Sequence, residues 1–160
     1  MLNEWGGDSV IIFADLAKGF MTVGDRKIRI SSRVRNELNG QRALNEKPVL
    51  SIPDQKPVMP RPFPQGRWEV LDPQPRNTRE LAPFFIPTTA FRVLKVWTVI
   101  DGHYGQETQN TTIDQGYGIH FSEYVNTIGC IKVHERNDLL WLVDQIKEAR
   151  KTGKVFMEAV

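Results

Sequence analysis

Gly116-Tyr117-Gly118-Ile119-His120 and, after five intervening residues, Asn126-Thr127-Ile128-Gly129-Cys130-Ile131-Lys132-Val133 contain the chain's single cysteine and the histidine that precedes it by ten positions. A thiol becomes a strong nucleophile when a neighbouring base or cation holds it as thiolate, and histidine is the usual partner. Phe121 to Asn126 would form the reversal that brings His120 and Cys130 together. Gly129 permits close backbone approach beside the thiol. The amides of Gly129 and Cys130 would then point at a developing oxyanion, which in acyl transfer is usually the largest catalytic contribution. A structural reading stands beside this one. Free cysteine is among the most often buried residue types, and a histidine nearby is commonly an ordinary one. Spacing alone leaves both open.

Outward from this stretch the chain reads mostly as strands. Phe91 to Ile100 is dense in β-branched and aromatic residues and has no Gly or Pro, the strongest strand signal present. Asp101 to Gly118 is polar and Gly-rich and reads as a surface loop. Val10 to Phe13 suits a buried strand. Phe20 to Val23 and Arg26 to Ile30 flank Gly24-Asp25, which supplies the positive φ of a two-residue hairpin turn. In the second arm Lys27 and Arg29 alternate with Ile28 and Ile30, giving one wet and one dry face. Eight of the ten prolines lie between 48 and 75, so that region cannot be helix or central strand throughout. It reads as a long ordered loop, at about 48–66, with Gly66 to Leu71 alternating like a strand that leaves it. Downstream, Leu139, Leu142, Val143 and Ile146 form one apolar helical stripe. Asn137 is the expected N-cap, Asp138 suits the positive end, and Lys147, Arg150 and Lys151 crowd the other end before Gly153. Val155 to Met157 adds a final strand.

The 160 residues fit a single domain. At 40% hydrophobic and 25% charged the composition excludes a disordered or fibrous chain. A formal charge of +2 gives no reason to expect nucleic-acid binding, although a pI near 8.8 mildly suits an acidic partner. No apolar run approaches the roughly 18 residues of a membrane span. One cysteine excludes an intramolecular disulfide and any zinc site built on several thiolates. The expected class is mainly β (α+β) with a C-terminal amphipathic helix.

The His-to-Cys segment resembles the L,D-transpeptidase (YkuD-type) catalytic domain, the β-rich cysteine enzymes of bacterial cell-wall metabolism. That family runs from Ile-His through a variable loop to Ser/Thr-His-Gly-Cys, then usually Ile-Arg and an apolar residue, with an Asn/Asp and a Leu-rich helix after it. Here stand Ile119-His120, Thr127-Ile128-Gly129-Cys130, Ile131-Lys132-Val133 and Asn137-Asp138-Leu139-Leu140-Trp141-Leu142. The hairpin of Phe13 to Ile30 and the segment Pro64-Gln65-Gly66-Arg67-Trp68 are also similar to the family, so the resemblance covers most of residues 10–150. It implies a β-sandwich or barrel with Cys130 as nucleophile, His120 as its base and Gly129 with Cys130 as oxyanion donors. Thr127 would belong to the motif, and Lys132 stands where an Arg often shapes the substrate site. The implied substrate is the peptidoglycan stem peptide, cut between meso-diaminopimelate and D-alanine, with the acyl-enzyme resolved by an amine or by water. No cofactor and no metal are implied.

Two positions depart from the pattern. Ile128 replaces the histidine usual before Gly-Cys, and the loop Phe121 to Asn126 is shorter than is common. Both are similar to what divergent, phage-borne members would show. The alternative is a structural or interaction protein, such as a phage tail or virion component that keeps the fold. Met1 to Gly7 has neither the basic start nor the apolar stretch of a signal peptide. The expectation is therefore synthesis in the cytoplasm and delivery to the wall on a virion, as an effector or through lysis.

Other candidates weigh less. His134 reads as a loop residue before the helix, with a place facing the site as second choice, and His103 as a turn histidine. A metal set of His103, His120 and His134 with Asp101 or Asp114 lacks any close-spaced ligand motif. Trp68 and Trp97 read as core aromatics. Arg33, Arg35 and Arg42 read as a solvated basic stretch.

Overall fold

The computed structural model describes residues 10–34, 56–78, 81–122, 126–127 and 129–160. Nine strands form one curled sheet: β1 (Val10–Asp15), β2 (Phe20–Val23), β3 (Arg26–Ser31), β5 (Gly66–Val70), β6 (Gln74–Pro75), β7 (Phe84–Pro87), β10 (Gly118–Phe121), β12 (Ile131–Val133) and β13 (Val155–Ala159). Their order is β5-β13-β1-β2-β3-β12-β10-β7-β6. Two pairs stand apart, β4 (Arg33–Val34) with β11 (Asn126–Thr127), and β8 (Phe91–Ile100) with β9 (His103–Gln115). Among the described residues one helix, α1 (Arg136–Arg150), precedes β13. The structure is therefore mainly β with a helix near its C-terminus.

Pairing register determines where the core lies. Ile12 lies opposite Met157, Ala14 opposite Met21, and Met21 opposite Ile28. Ile30 then faces Val133, Ile131 faces Ile119, and Ile119 faces Ile86. Because side chains alternate along a strand, these residues share one face of the sheet. All are buried, and Leu139, Leu142, Val143 and Ile146 of α1 complete the same cluster. The curl brings the edge strand back on itself: Leu71 N–H donates to Pro87 O (2.9 Å), Thr89 N–H to Glu69 O (3.0 Å), and Val70 bridges Thr88. Arg150 ties the end of the helix to this closure, reaching Val70 O at 2.9 Å and Asp72 at 2.6 Å. Its other end is tied by Arg26 to Asp138, 2.7 Å, with the guanidinium over the Trp141 ring.

Two local expectations need correction. Glu135, not Asn137, caps the helix, in extended backbone and without a side-chain hydrogen bond. Only His134 and Glu135 separate β12 from α1, so the helix has begun by Arg136 and Asn137 already lies in its first turn. The polar stretch from Asp101 is a 13-residue strand, not a loop. Asp101 (φ 52) and Gly102 (φ 77) turn the chain back and β9 pairs along β8. Its polarity reflects exposure of a two-stranded ribbon: Thr108 Oγ donates to Val96 O and Lys95 to Gln109. Even Val93 and Ile113, which lie opposite each other, are exposed.

Of the proline-rich stretch, residues 48–55 lie outside the described residues, as do Arg35 and Arg42. Residues 56–65 have no regular structure yet are held throughout their length. Pro57 O accepts Trp97 N–H (2.9 Å), Val58 O accepts Tyr104 Oη (2.6 Å), and Pro64 O accepts Trp68 Nε1 (2.9 Å). Phe63 is fully buried. Trp68 packs against the main core, and Trp97 against Met59 and Tyr104.

Leu142→Ala is expected to cost about 2–5 kcal/mol, because the helix seat cannot collapse around the lost side chain. Val93→Ala on the exposed ribbon should cost far less. Urea unfolding of both variants checks this, and equal losses would contradict the placement of the helix against the sheet.

Candidate active site

The strand that bears His120 and the strand that follows Cys130 pair in parallel rather than as a hairpin. Strand β10 pairs with β12 in parallel, with Ile119 opposite Ile131 and His120 opposite Lys132. With Ile119 and Ile131 on the core face, His120 and Lys132 take the other face. Cys130 stands directly before β12, where the chain bends, two residues from Lys132. His134 directly follows the strand, and its N–H donates to Arg29 O at 3.2 Å. Strands β7 and β3 extend the row with Phe85 opposite His120 and Ser31 opposite Lys132. His120 and Lys132 are both buried, each 7% exposed.

The turn before Cys130 is tightly supported. Gly129 has φ 123, and a Cβ there would lie 2.6 Å from the Tyr117 ring and 3.2 Å from Arg61 O. Glycine is thus required for both conformation and space. Ser32 Oγ donates to Cys130 O (3.3 Å) and accepts Phe63 N–H (2.7 Å), so one buried hydroxyl joins the turn to the proline-rich segment. Gly118 leaves room for the Phe85 ring, which a Cβ would overlap.

A second group of residues lies behind Gly129, of which the sequence named only Asp114, as a possible metal ligand. The Tyr117 hydroxyl donates to Asp114, and its ring meets Phe63 edge-on at 5.9 Å. Arg92 lies opposite Asp114 across β8 and β9 and donates to Pro62 O at 2.7 Å. Its Nε is buried without a hydrogen-bond partner. A further hint of this cluster in the sequence was Tyr117 set between two glycines.

Electrostatics follow from this packing. Burial pushes the Cys130 thiol above its ordinary pKa, while a hydrogen bond from the Gly118 backbone and the charge of Lys132 act the other way, and Asp114 raises it further. Burial lowers Lys132, offset by Cys130. His134 is lowered by burial, then by Arg29 and Lys132. Tyr117 is raised well above the usual phenol range by burial and by Asp114, so it stays a donor. His120 Nδ1 lies 3.1 Å from Phe121 O. A carbonyl only accepts, so Nδ1 carries the proton and, in the neutral ring, the lone pair is on Nε2.

The structure therefore places Cys130, Gly129, His120 and Lys132 in one region. Thr127 lies in β11, its backbone paired with Val34, while its side chain and Ile128 lie outside the described residues, as does the side chain of Arg33. His103 is remote in the chain pairing, opposite Ile100 at the far end of the ribbon. Among the described residues no three His, Cys, Asp or Glu side chains gather as a metal site. No described helix is long and apolar enough to cross a membrane.

No protein-family model matches this chain, and no curated protein matches it in sequence. Among solved structures, the crystal structure of Mycobacterium tuberculosis L,D-transpeptidase 1 is similar at 16% identity and a TM-score of 0.46. The match covers 96% of this chain and 60% of the mycobacterial one, so the chain spans about 60% of that structure's length.

Gly129→Ala should lower stability by about 2 kcal/mol or more, since strained φ and overlap with Tyr117 act together. Gly24→Ala, at positive φ but in open space, is the control and should lose about 1 kcal/mol. Denaturant titration of the pair tests this, and equal losses would remove Tyr117 as the support of the turn.

Proposed function

We propose that this chain is a cysteine-dependent acyl transferase or hydrolase acting on L,D-peptide bonds of peptidoglycan stem peptides. The observation that carries the reading is the parallel pairing of the strand that bears His120 with the strand that Cys130 leads into, with His120 oriented through Phe121 O. The motif resemblance from Ile119 to Val133 supplies the substrate class.

The chemistry follows from these groups. At neutral pH burial keeps Cys130 mainly a thiol, so its proton has to leave as attack begins. His120 Nε2 takes that proton, and the sulfur adds to the carbonyl carbon of the scissile bond. The carbonyl electrons move to oxygen, where the Gly129 and Cys130 amides are the proposed donors. As the C–N bond breaks, His120 returns the proton to the leaving amine. The thioester is then resolved by an amine, giving a cross-link, or by water, giving a shortened stem.

Incubation with a disaccharide-tetrapeptide and a D-amino acid acceptor, followed by mass spectrometry, tests the proposal. The expected result is exchange or loss of the terminal D-alanine and a transient acyl adduct on Cys130. Cys130→Ala should abolish both, and His120→Ala should slow turnover about 10²–10⁴-fold. A folded wild-type chain that neither turns over the tetrapeptide nor acylates at Cys130 would sink the reading.

A further inference from the structure

Lys132 is the central residue of β12 on the face away from the core, with Cys130 directly before the strand, two residues from it, and His134 directly after. Lys132 is flanked across the sheet by His120 on β10 and Ser31 on β3. At 7% exposure it is too buried for a solvated surface lysine. An ammonium in such a place interacts strongly with whatever charge it faces. Among the described residues, the titratable and charged groups around Cys130 and Lys132 are His120 on β10, His134 and Glu135 after β12, Arg29 on β3 and Asp114 at the end of β9. Arg29 and a protonated histidine repel an ammonium. Asp114 acts on Cys130 and opposes thiolate formation. Lys132 is the cation acting on the Cys130 sulfur.

We propose that Lys132 is a positioning residue whose ammonium stabilises the Cys130 thiolate, leaving His120 to carry the proton between thiol and leaving amine. This rests on the reading of Cys130 as nucleophile and deepens it, assigning Lys132 to the sulfur rather than to substrate. The coupling is reciprocal, as linkage requires: Lys132 pulls the Cys130 pKa down and Cys130 pulls that of Lys132 up. A cation suffices for this role, so arginine should replace lysine and methionine should not.

The test is the pH dependence of iodoacetamide alkylation, which reports on the chain's single thiol. Lys132→Met should raise the midpoint by about one unit, cutting the thiolate share at pH 7 about tenfold. Lys132→Arg should restore most of it. A midpoint unchanged in a folded Lys132→Met would overturn the proposal. Cys130→Ser gives an independent readout should Lys132→Met not fold. Nitrogen NMR of the Lys132 ammonium should then show a lower pKa than in wild type, and an unchanged value would again overturn it. Tetrapeptide turnover separates the two readings. Lys132-dependent acidity without turnover would remove the proposed activity and keep the ion pair, and turnover with Lys132-independent acidity would do the reverse.

Discussion

Parallel pairing of two short strands, Gly118–Phe121 and Ile131–Val133, is the constraint on which the rest of the molecule depends. Each strand sends alternate residues to opposite faces. Ile119, Ile131 and Val133 are fully buried in the core that α1 completes, so the pairing cannot slip by one residue without turning them outward. That same register carries His120 and Lys132 to the other face together, with Cys130 directly before the second strand. The apolar residues therefore fix the positions of the polar ones. No bond between the polar groups is needed to align them.

A turn with a strained glycine directly before the thiol persists only if its surroundings over-determine it. Here they do. Tyr117 packs against Gly129, Arg61 lies on its other side, and Ser32 joins the Cys130 carbonyl to Phe63. Tyr117 is in turn held through Asp114, and Arg92 ties the base of the β8–β9 ribbon to Pro62. The proline-rich segment, the ribbon and the turn before Cys130 are thus parts of one connected support. Its charges also reach the site, since Asp114 opposes ionisation of the thiol that Lys132 favours.

Much of the secondary structure was legible in the residues because alternation and helical periodicity are local. Ile28 and Ile30 against Lys27 and Arg29, the stripe from Leu139 to Ile146, and Gly24 at φ 58 all stand where the pattern predicts. Legibility failed where exposure or connection length overrode local signals. Strand β9 is polar because much of its ribbon is exposed, and composition then looks like a loop. Asn137 is a good cap residue displaced by a linker of only two residues before the helix.

By itself the sequence determined the strand and helix periods, the single thiol, the nearby histidine and the glycine between thiol and loop. Only the tertiary structure decided that β10 and β12 pair in parallel, which faces their residues take, and that Tyr117, Asp114 and Arg92 stand behind the turn. Sequence periodicity tells which residues share a face within one strand. Which strands become neighbours, and in what direction, is set by burying all the apolar faces at once, a long-range condition that no local pattern contains.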